Sequence, residues 1–564
     1  MKKINIFKHL IVGSLFILGA SACEDFLDKP TEDNYVVDNF YQTDEQCFQA
    51  VNPIYNSPWY DFQRGFFKVG EVLSGNYYWG QSPYLTYTIN STDEDLVNMS
   101  ASLWSVNAYC NGIIENIDLK AGPNVKESTK TTVKGEALVW KAMTYFYLVR
   151  IFGEVPIVHN NSAEIVGGNY NEKYKATIPN IYDYIILTLE KAIEWLPEKN
   201  EPGRIDRYSA YGLLSKVYLT KSGYGQSGSR DQNDLDKAAL YAGYVIESSG
   251  RELLPVFSDI FRLKNNLTSE SLLSWHWKGS GDPWTQQNSL QSDLAFTGFS
   301  EFADTWGGYN GPSVDLQEAF GEDALSLTRK NQDSRRKATM MMYGDKYEYF
   351  WVDKGGFDWT DYCLNVLTEV QSPVGANEVK HLVGNNNDHI LGVGYGMERM
   401  ATSLSTHLLR LSDIYLIYAE AVLGNQASTS DAKALEAFNK VRARAYGDDS
   451  YALSSITFAD VWKERRLELA TEGDRWYDYV RLHYYEPAKA IQELKAQKRS
   501  TYIGLKTFYE TGTLDPDDTY YDKNPTIPNI SNSHFKLPFP DTDLTMNKHL
   551  LEDAVDVDVS QFSY

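Results

Sequence analysis

One segment limits what this chain can fold into more than any other. Within residues 131–152, the run Ala137-Leu-Val-Trp-Lys-Ala-Met-Thr-Tyr-Phe-Tyr-Leu-Val149 is apolar on nearly every face of a helix. A helix that is apolar all round must be covered on all sides. Gly153 and Pro156 stop it. The cover has to come from neighbouring helices, and the sequence supplies them. Leu103, Val106, Cys110, Ile113, Ile114 and Ile117 recur at helical spacing over residues 100–117. Ile181, Ile185, Leu189 and Ala192 do so before Pro197, as do Ala210, Leu213, Leu214 and Val217. Leu235, Ala238, Ala242 and Val245 follow, closing at Gly250. Upstream, Thr43 and Gln46 form a capping box ahead of Cys47, Val51 and Ile54, and Pro53 should kink or end that helix.

Small residues at the contact positions of Ala210–Tyr218 and Ala238–Ile246 suggest stacked helix–turn–helix units, a degenerate tetratricopeptide-like repeat. A generic helical bundle is the alternative. Residues 251–405 differ. Glycine, asparagine, proline and tryptophan rise there and helical periodicity fades, apart from Leu272–Trp277, which alternates like a short strand. Helical order returns with Ile414, Tyr415, Tyr418, Ala419 and Val422, and again over residues 434–445. The expected fold is mostly α: a tetratricopeptide-like helical-repeat scaffold with a large loop-rich irregular insertion. The expected divisions are 1–22, 23–42, 43–250, 251–405 and 406–564.

Residues 1–22 read as an export signal: Lys2, Lys3 and Lys8, then an apolar stretch too short to span a bilayer, then Ala20, Ser21 and Ala22 before Cys23. A cysteine there looks like a bacterial lipobox, with Ala20 in place of the usual leucine. Cys23 is the expected lipidation site, and residues 23–42 the polar tether behind it. The three remaining cysteines, Cys47, Cys110 and Cys363, are an odd number with no CxxC spacing, so no disulfide framework or zinc site is expected.

A net charge of −23 argues against a nucleic-acid partner, which needs a basic stripe. It does not repel neutral sugars. Aromatic residues make up 14% of the chain, a high share that either thickens the core or supplies stacking surfaces; the core takes most and leaves a few loop residues for binding. Sugar rings present C–H faces on which aromatic rings stack. Asn, Asp, Gln and Arg at the rim can read hydroxyls. The leading candidates are Tyr78 and Trp79 on the early loop, with Trp284, Trp306 and Tyr309 on the insertion. Trp351, Trp359 and Tyr395 follow. Trp104, Trp140, Trp195, Trp462 and Trp476 are assigned to the core. HExxH, GxSxG and P-loop patterns are absent, and nothing points to a cofactor or metal.

The stretch Val461–Arg481 crowds Glu464, Arg465, Arg466, Glu468, Glu472, Asp474 and Arg475 beside Trp462 and Trp476. It reads as two helices around a corner at Gly473, with Asp474 capping the second and the charges mutually paired.

This stretch resembles the signature segment of the SusD/RagB family of outer-membrane lipoproteins. So do, in order, Cys23-Glu-Asp-Phe-Leu-Asp28, Tyr145–Val158, Arg410–Ala421, Phe438–Arg444 and the Pro538-Phe-Pro540 tail. The resemblance implies a tetratricopeptide-like scaffold that packs against a SusC-like TonB-dependent transporter. It also implies a non-catalytic protein at the outer-membrane surface that captures an oligosaccharide or polysaccharide. A flat platform would suit an extended β-linked glucan and a curved one a helical α-glucan. A glycoside hydrolase, or a transporter lid without a ligand of its own, are the other readings.

Overall fold

The computed structural model describes residues 40–279, 285–300, 304–367, 369–522 and 529–564. The export signal, Cys23 and Trp284 lie outside them. Helices α1 (Asp44–Val51), α2 (Glu94–Lys120), α3 (Glu127–Phe152), α4 (Ile178–Trp195), α5 (Arg207–Lys221) and α6 (Gln232–Ser248) lead into α7 (Leu411–Leu423), α8 (Ala432–Tyr446), α9 (Phe458–Glu468) and α10 (Arg475–His483). The chain is mostly helical.

Every residue of α3 from Gly135 to Phe152 is buried. It lies between α2 and α4, α4 packs on α5, and α5 on α6. Each fully buried large apolar side chain contributes about 1.5–3 kcal/mol. The two buried cations in this helix are accommodated differently. Lys141 Nζ donates to Asn111 Oδ1 at 2.6 Å and to the His159 carbonyl at 2.9 Å, and burial pushes its pKa down to about 7. The Arg150 guanidinium lies 3.5 Å over the Phe146 ring and 4.1 Å over Tyr477.

The next helix against α6 is α7. The chain therefore leaves the scaffold after α6, builds the irregular region, and returns beside its point of departure. Strand β2 (Ser271–Trp275) pairs antiparallel with β4 (Thr406–Arg410) and ties the two ends of the excursion, with Trp275 opposite Thr406. Two further strands, β1 (Tyr77–Tyr78) and β3 (Gly311–Pro312), join it to the early loop. The irregular region has its own core around Phe296, Phe299, Met340, Met341, Met342 and Trp359.

At the corner between α9 and α10, Gly473 has φ +76°, and a Cβ there would sit 2.2 Å from the Phe66 ring. A Cβ on Gly70 would in turn fall 2.4 Å from Gly473 Cα, so two glycines let two backbones touch. The expected cap is corrected here: the Asp474 side chain makes no capping bond to α10. Buried Glu71, from a distant segment, accepts instead from the Thr471, Gly473 and Asp474 N–H groups at 3.1, 2.7 and 3.2 Å. Asp474 is drawn to Lys216 at 2.9 Å and Arg465 at 3.4 Å.

The corner's other charges are paired and, apart from half-buried Arg466, buried. Arg410 meets Glu270 and Glu468 at 3.0 Å each and Glu472 at 2.6 Å, and Arg335 meets Glu464 at 2.6 Å. Burial alone would raise the pKa of Glu468, but Arg444, Arg410 and Arg335 outweigh it and hold the carboxyl below its usual range. The same balance lowers Glu472, Asp413, Asp478 and Glu420. Glu270 and Arg335 come from the irregular region, so the network fastens it to α7–α9.

Candidate functional site

The early aromatic loop and the irregular region meet through backbone. Tyr77 pairs with Pro312 and Tyr78 with Gly311. A Cβ on Gly311 would lie 2.0 Å from the Ala376 carbonyl oxygen, so only glycine lets the strand pass. Tyr77 points inward and is fully buried. Tyr78 and Trp79 keep part of their surface in solvent. Tyr78 bridges the scaffold core and the irregular region's core. Across the junction, Trp306 is 47% exposed and Tyr309 56%. The Trp306 indole N–H donates to Asp293 Oδ1 at 3.0 Å, which fixes the ring. Tyr309 donates its hydroxyl to Glu369 at 3.1 Å.

A polar floor connects the two tryptophans. Lys68 Nζ lies 4.8 Å over the Trp79 ring and bonds the Asp95 carboxylate. Arg64 Nε lies 3.4 Å from Asp95 and 3.9 Å from Asp293. The series runs Trp79, Lys68, Asp95, Arg64, Asp293, Trp306. Lys68, Asp95 and Asp293 are buried, while the Arg64 side chain is 47% exposed. Burial raises the Asp293 pKa, and Arg64 and the Trp306 N–H oppose that. The result is an open aromatic ledge with a half-exposed guanidinium between its tryptophans. Such a surface can stack ring faces and donate forked hydrogen bonds. Sequence reasoning missed Arg64, Lys68, Asp95 and Asp293. Two cations at i and i+4 in the apolar run Gln63–Val72 were a usable signal.

The remaining candidates separate. Trp359 is fully buried and donates its indole N–H to Asn377 Oδ1 at 3.0 Å, so it is a core residue and not a platform. Trp351 has φ +53°, donates Nε1–H to the Phe299 carbonyl at 3.0 Å, and meets Phe357 and Tyr362 edge-on. Lys354 Nζ lies 4.2 Å over its ring. Tyr395 is 37% exposed, with its hydroxyl bonded to Ser403 at 2.8 Å. Among the described residues, no ring contact joins Trp351 or Tyr395 to Trp79 or Trp306. Of the tryptophans assigned to the core, Trp140, Trp462 and Trp476 are buried. Trp104 and Trp195 are partly buried and pack against its edge, with Lys134 4.3 Å over Trp195.

A cavity of about 330 Å³ opens elsewhere, beside His276, Arg204, Asp206 and Arg251. Its charges are already matched: Arg204 with Glu136 at 2.7 Å and Arg251 with Asp206 at 2.7 Å. His276 is held by the Gly203 carbonyl and Ser405, and burial lowers its pKa. No cluster of His, Cys, Asp and Glu suited to a metal occurs among the described residues. Cys47, Cys110 and Cys363 are buried and free.

The model of the SusD family matches residues 271–553, and a second model, described as starch-binding and associating with the outer membrane, matches residues 25–219. A SusD-like protein of Bacteroides ovatus is 33% identical, over 97% of this chain and 98% of its own. The chain belongs to the SusD family. Its helical array is therefore the tetratricopeptide-like scaffold of SusD-family structures. A solved structure described as containing xylogluco-oligosaccharide is 30% identical, with TM-score 0.77, covering 91% of this SusD-family chain and 99% of that one. A laminarin-binding SusD-like protein shares the fold at 20% identity and TM-score 0.64, over 90% of this chain and 98% of its own.

Proposed function

We propose that this SusD-family protein captures a neutral, β-linked glucan on the ledge formed by Trp79, Trp306, Tyr78 and Tyr309, with Arg64 donating to hydroxyls between the tryptophans. The observation that carries it is the pair of part-exposed tryptophans linked through Arg64, on a surface assembled from two distant parts of the chain. The xylogluco-oligosaccharide in a structure 30% identical supports a glucan backbone and makes xyloglucan the first ligand to try. An extended chain lying across two tryptophans needs no enclosed pocket.

The protein acts without cleaving its ligand. Asp95 and Asp293 hold Lys68, Arg64 and the Trp306 N–H, an arrangement that positions rings. Lipid on Cys23 anchors it at the outer-membrane surface, where it passes glycan to a SusC-like TonB-dependent transporter. The family description that associates residues 25–219 with the outer membrane supports that location.

Affinity electrophoresis against xyloglucan, mixed-linkage glucan, laminarin and starch, followed by product analysis of each mixture, tests the reading. Retardation by at least one β-glucan, with no new reducing ends, is expected. Release of oligosaccharides over time would replace it with a glycoside hydrolase, and no retardation by any polymer would leave a lid without its own ligand.

A further inference from the structure

The charges around the ledge say something about ligand class that the aromatic rings do not. Both of its cations are already committed: Lys68 bonds Asp95, and Arg64 stands between Asp95 and Asp293. Asp93 and Glu94 also act on Arg64 electrostatically and, with Asp95 and Asp293, reinforce its positive charge. Across the ledge, exposed Glu369 accepts from the Tyr309 hydroxyl. Two cations therefore face five carboxylates. The guanidinium remains a donor for neutral hydroxyls, but the surface as a whole is negative.

We infer that the ledge discriminates by charge: it admits uncharged glucans and turns away glycans bearing carboxylate or sulfate, with Asp293 and Glu369 as specificity-determining residues. This rests on the glucan reading above. Asp293 has a double part. Its carboxylate orients the Trp306 ring through the indole N–H and compensates Arg64 from the opposite side to Asp95. Repulsion of one ligand carboxylate by a net charge of about −3 at about 8 Å in water amounts to roughly a tenfold loss of affinity per bound carboxylate. It should be screened by salt.

Two polymers on one β-glucan backbone separate charge from bulk. Hydroxyethyl cellulose carries neutral substituents and carboxymethyl cellulose anionic ones. Calorimetry of the full-length protein at low ionic strength is expected to favour the hydroxyethyl polymer by about tenfold or more. The gap should narrow at about 0.5 M NaCl. Asp293→Asn, whose amide oxygen can still accept from Trp306, should shrink the gap by roughly threefold. Glu369→Gln, at an exposed position with no bearing on folding, should shrink it too. Equal binding of both polymers, or preference for the anionic one, overturns the charge selection and leaves the glucan reading in place. Binding of neither polymer overturns the charge selection, and the glucan reading falls with it when xyloglucan, mixed-linkage glucan and laminarin fail to bind as well. A salt-independent gap unchanged in both variants assigns the preference to substituent shape and overturns the role of these carboxylates.

Discussion

The corner between α9 and α10 and the ledge at Trp79 and Trp306 are built from the same residue types, tryptophan beside Arg, Asp and Glu, yet they do opposite work. At the corner, Arg410, Arg335, Arg465 and Arg481 are buried with their carboxylates, and Trp476 is only 1% exposed. At the ledge, Trp306 is 47% exposed and Arg64 keeps half its surface in water. Burial turns charge into a lock, because each ion has lost its water and depends on its partner. Exposure suits similar groups to the proposed reading surface, because a ligand can replace the water without breaking an ion pair. Density of charge and tryptophan alone does not mark a site.

Acid should separate the two regions most strongly. The folded pKa values of Glu468, Glu472, Asp413, Asp478 and Glu420 lie below their unfolded values. Their stabilisation is therefore present above about pH 4 and is lost as the pH falls below it. Circular dichroism through a pH titration should show cooperative unfolding in that window. A fold unchanged at pH 2 would contradict the network. Arg410→Ala does singly what acid does collectively. It takes the shared cation from Glu270, Glu468 and Glu472, leaving them only Arg444, Arg335 and Lys380, and should cost about 3 kcal/mol or more in denaturant titrations. Gly473→Val meets both a positive φ and the Phe66 ring, and should cost about 3 kcal/mol. Asp474→Ala should cost least, about 1 kcal/mol, since Lys216 and Arg465 both keep Asp413. In all three variants the glucan affinity of the folded protein should stay within about twofold, as is typical of distant, independent sites.

Much of the scaffold was legible because its physics is local. Apolar periodicity marked α3 through α6, and the Thr43–Gln46 capping box stands as read. The start of α2 was missed by six residues, although Leu96 and Met99 carry the apolar stripe of Leu103 and Val106 back to the Asp93 cap. The cap at Asp474 was misread because the real acceptor, Glu71, lies some four hundred residues away in sequence. Residue type also brought Trp79 and Trp306 into the reading, while Trp359 looked alike in its glycine-flanked context and proved to be core. What distinguishes them is which side of a second, non-periodic core each ring faces. The floor of Arg64, Asp95 and Asp293 was invisible for the same reason: its members come from three segments that only the β1–β3 pairing and the packing of α2 bring together.

The proposed function requires that the ledge bind its ligand. Isothermal titration of xyloglucan oligosaccharide into the wild-type protein, Trp79→Ala and Trp306→Ala tests that most directly. Binding by the wild type is expected, with an affinity loss of about tenfold or more in each variant, equivalent to about 1.4 kcal/mol. The Trp306→Ala protein should keep its stability within about 0.5 kcal/mol, since that ring is half in solvent. Unchanged affinity in both variants, with the wild type binding, would place the ligand elsewhere and contradict the ledge as the site.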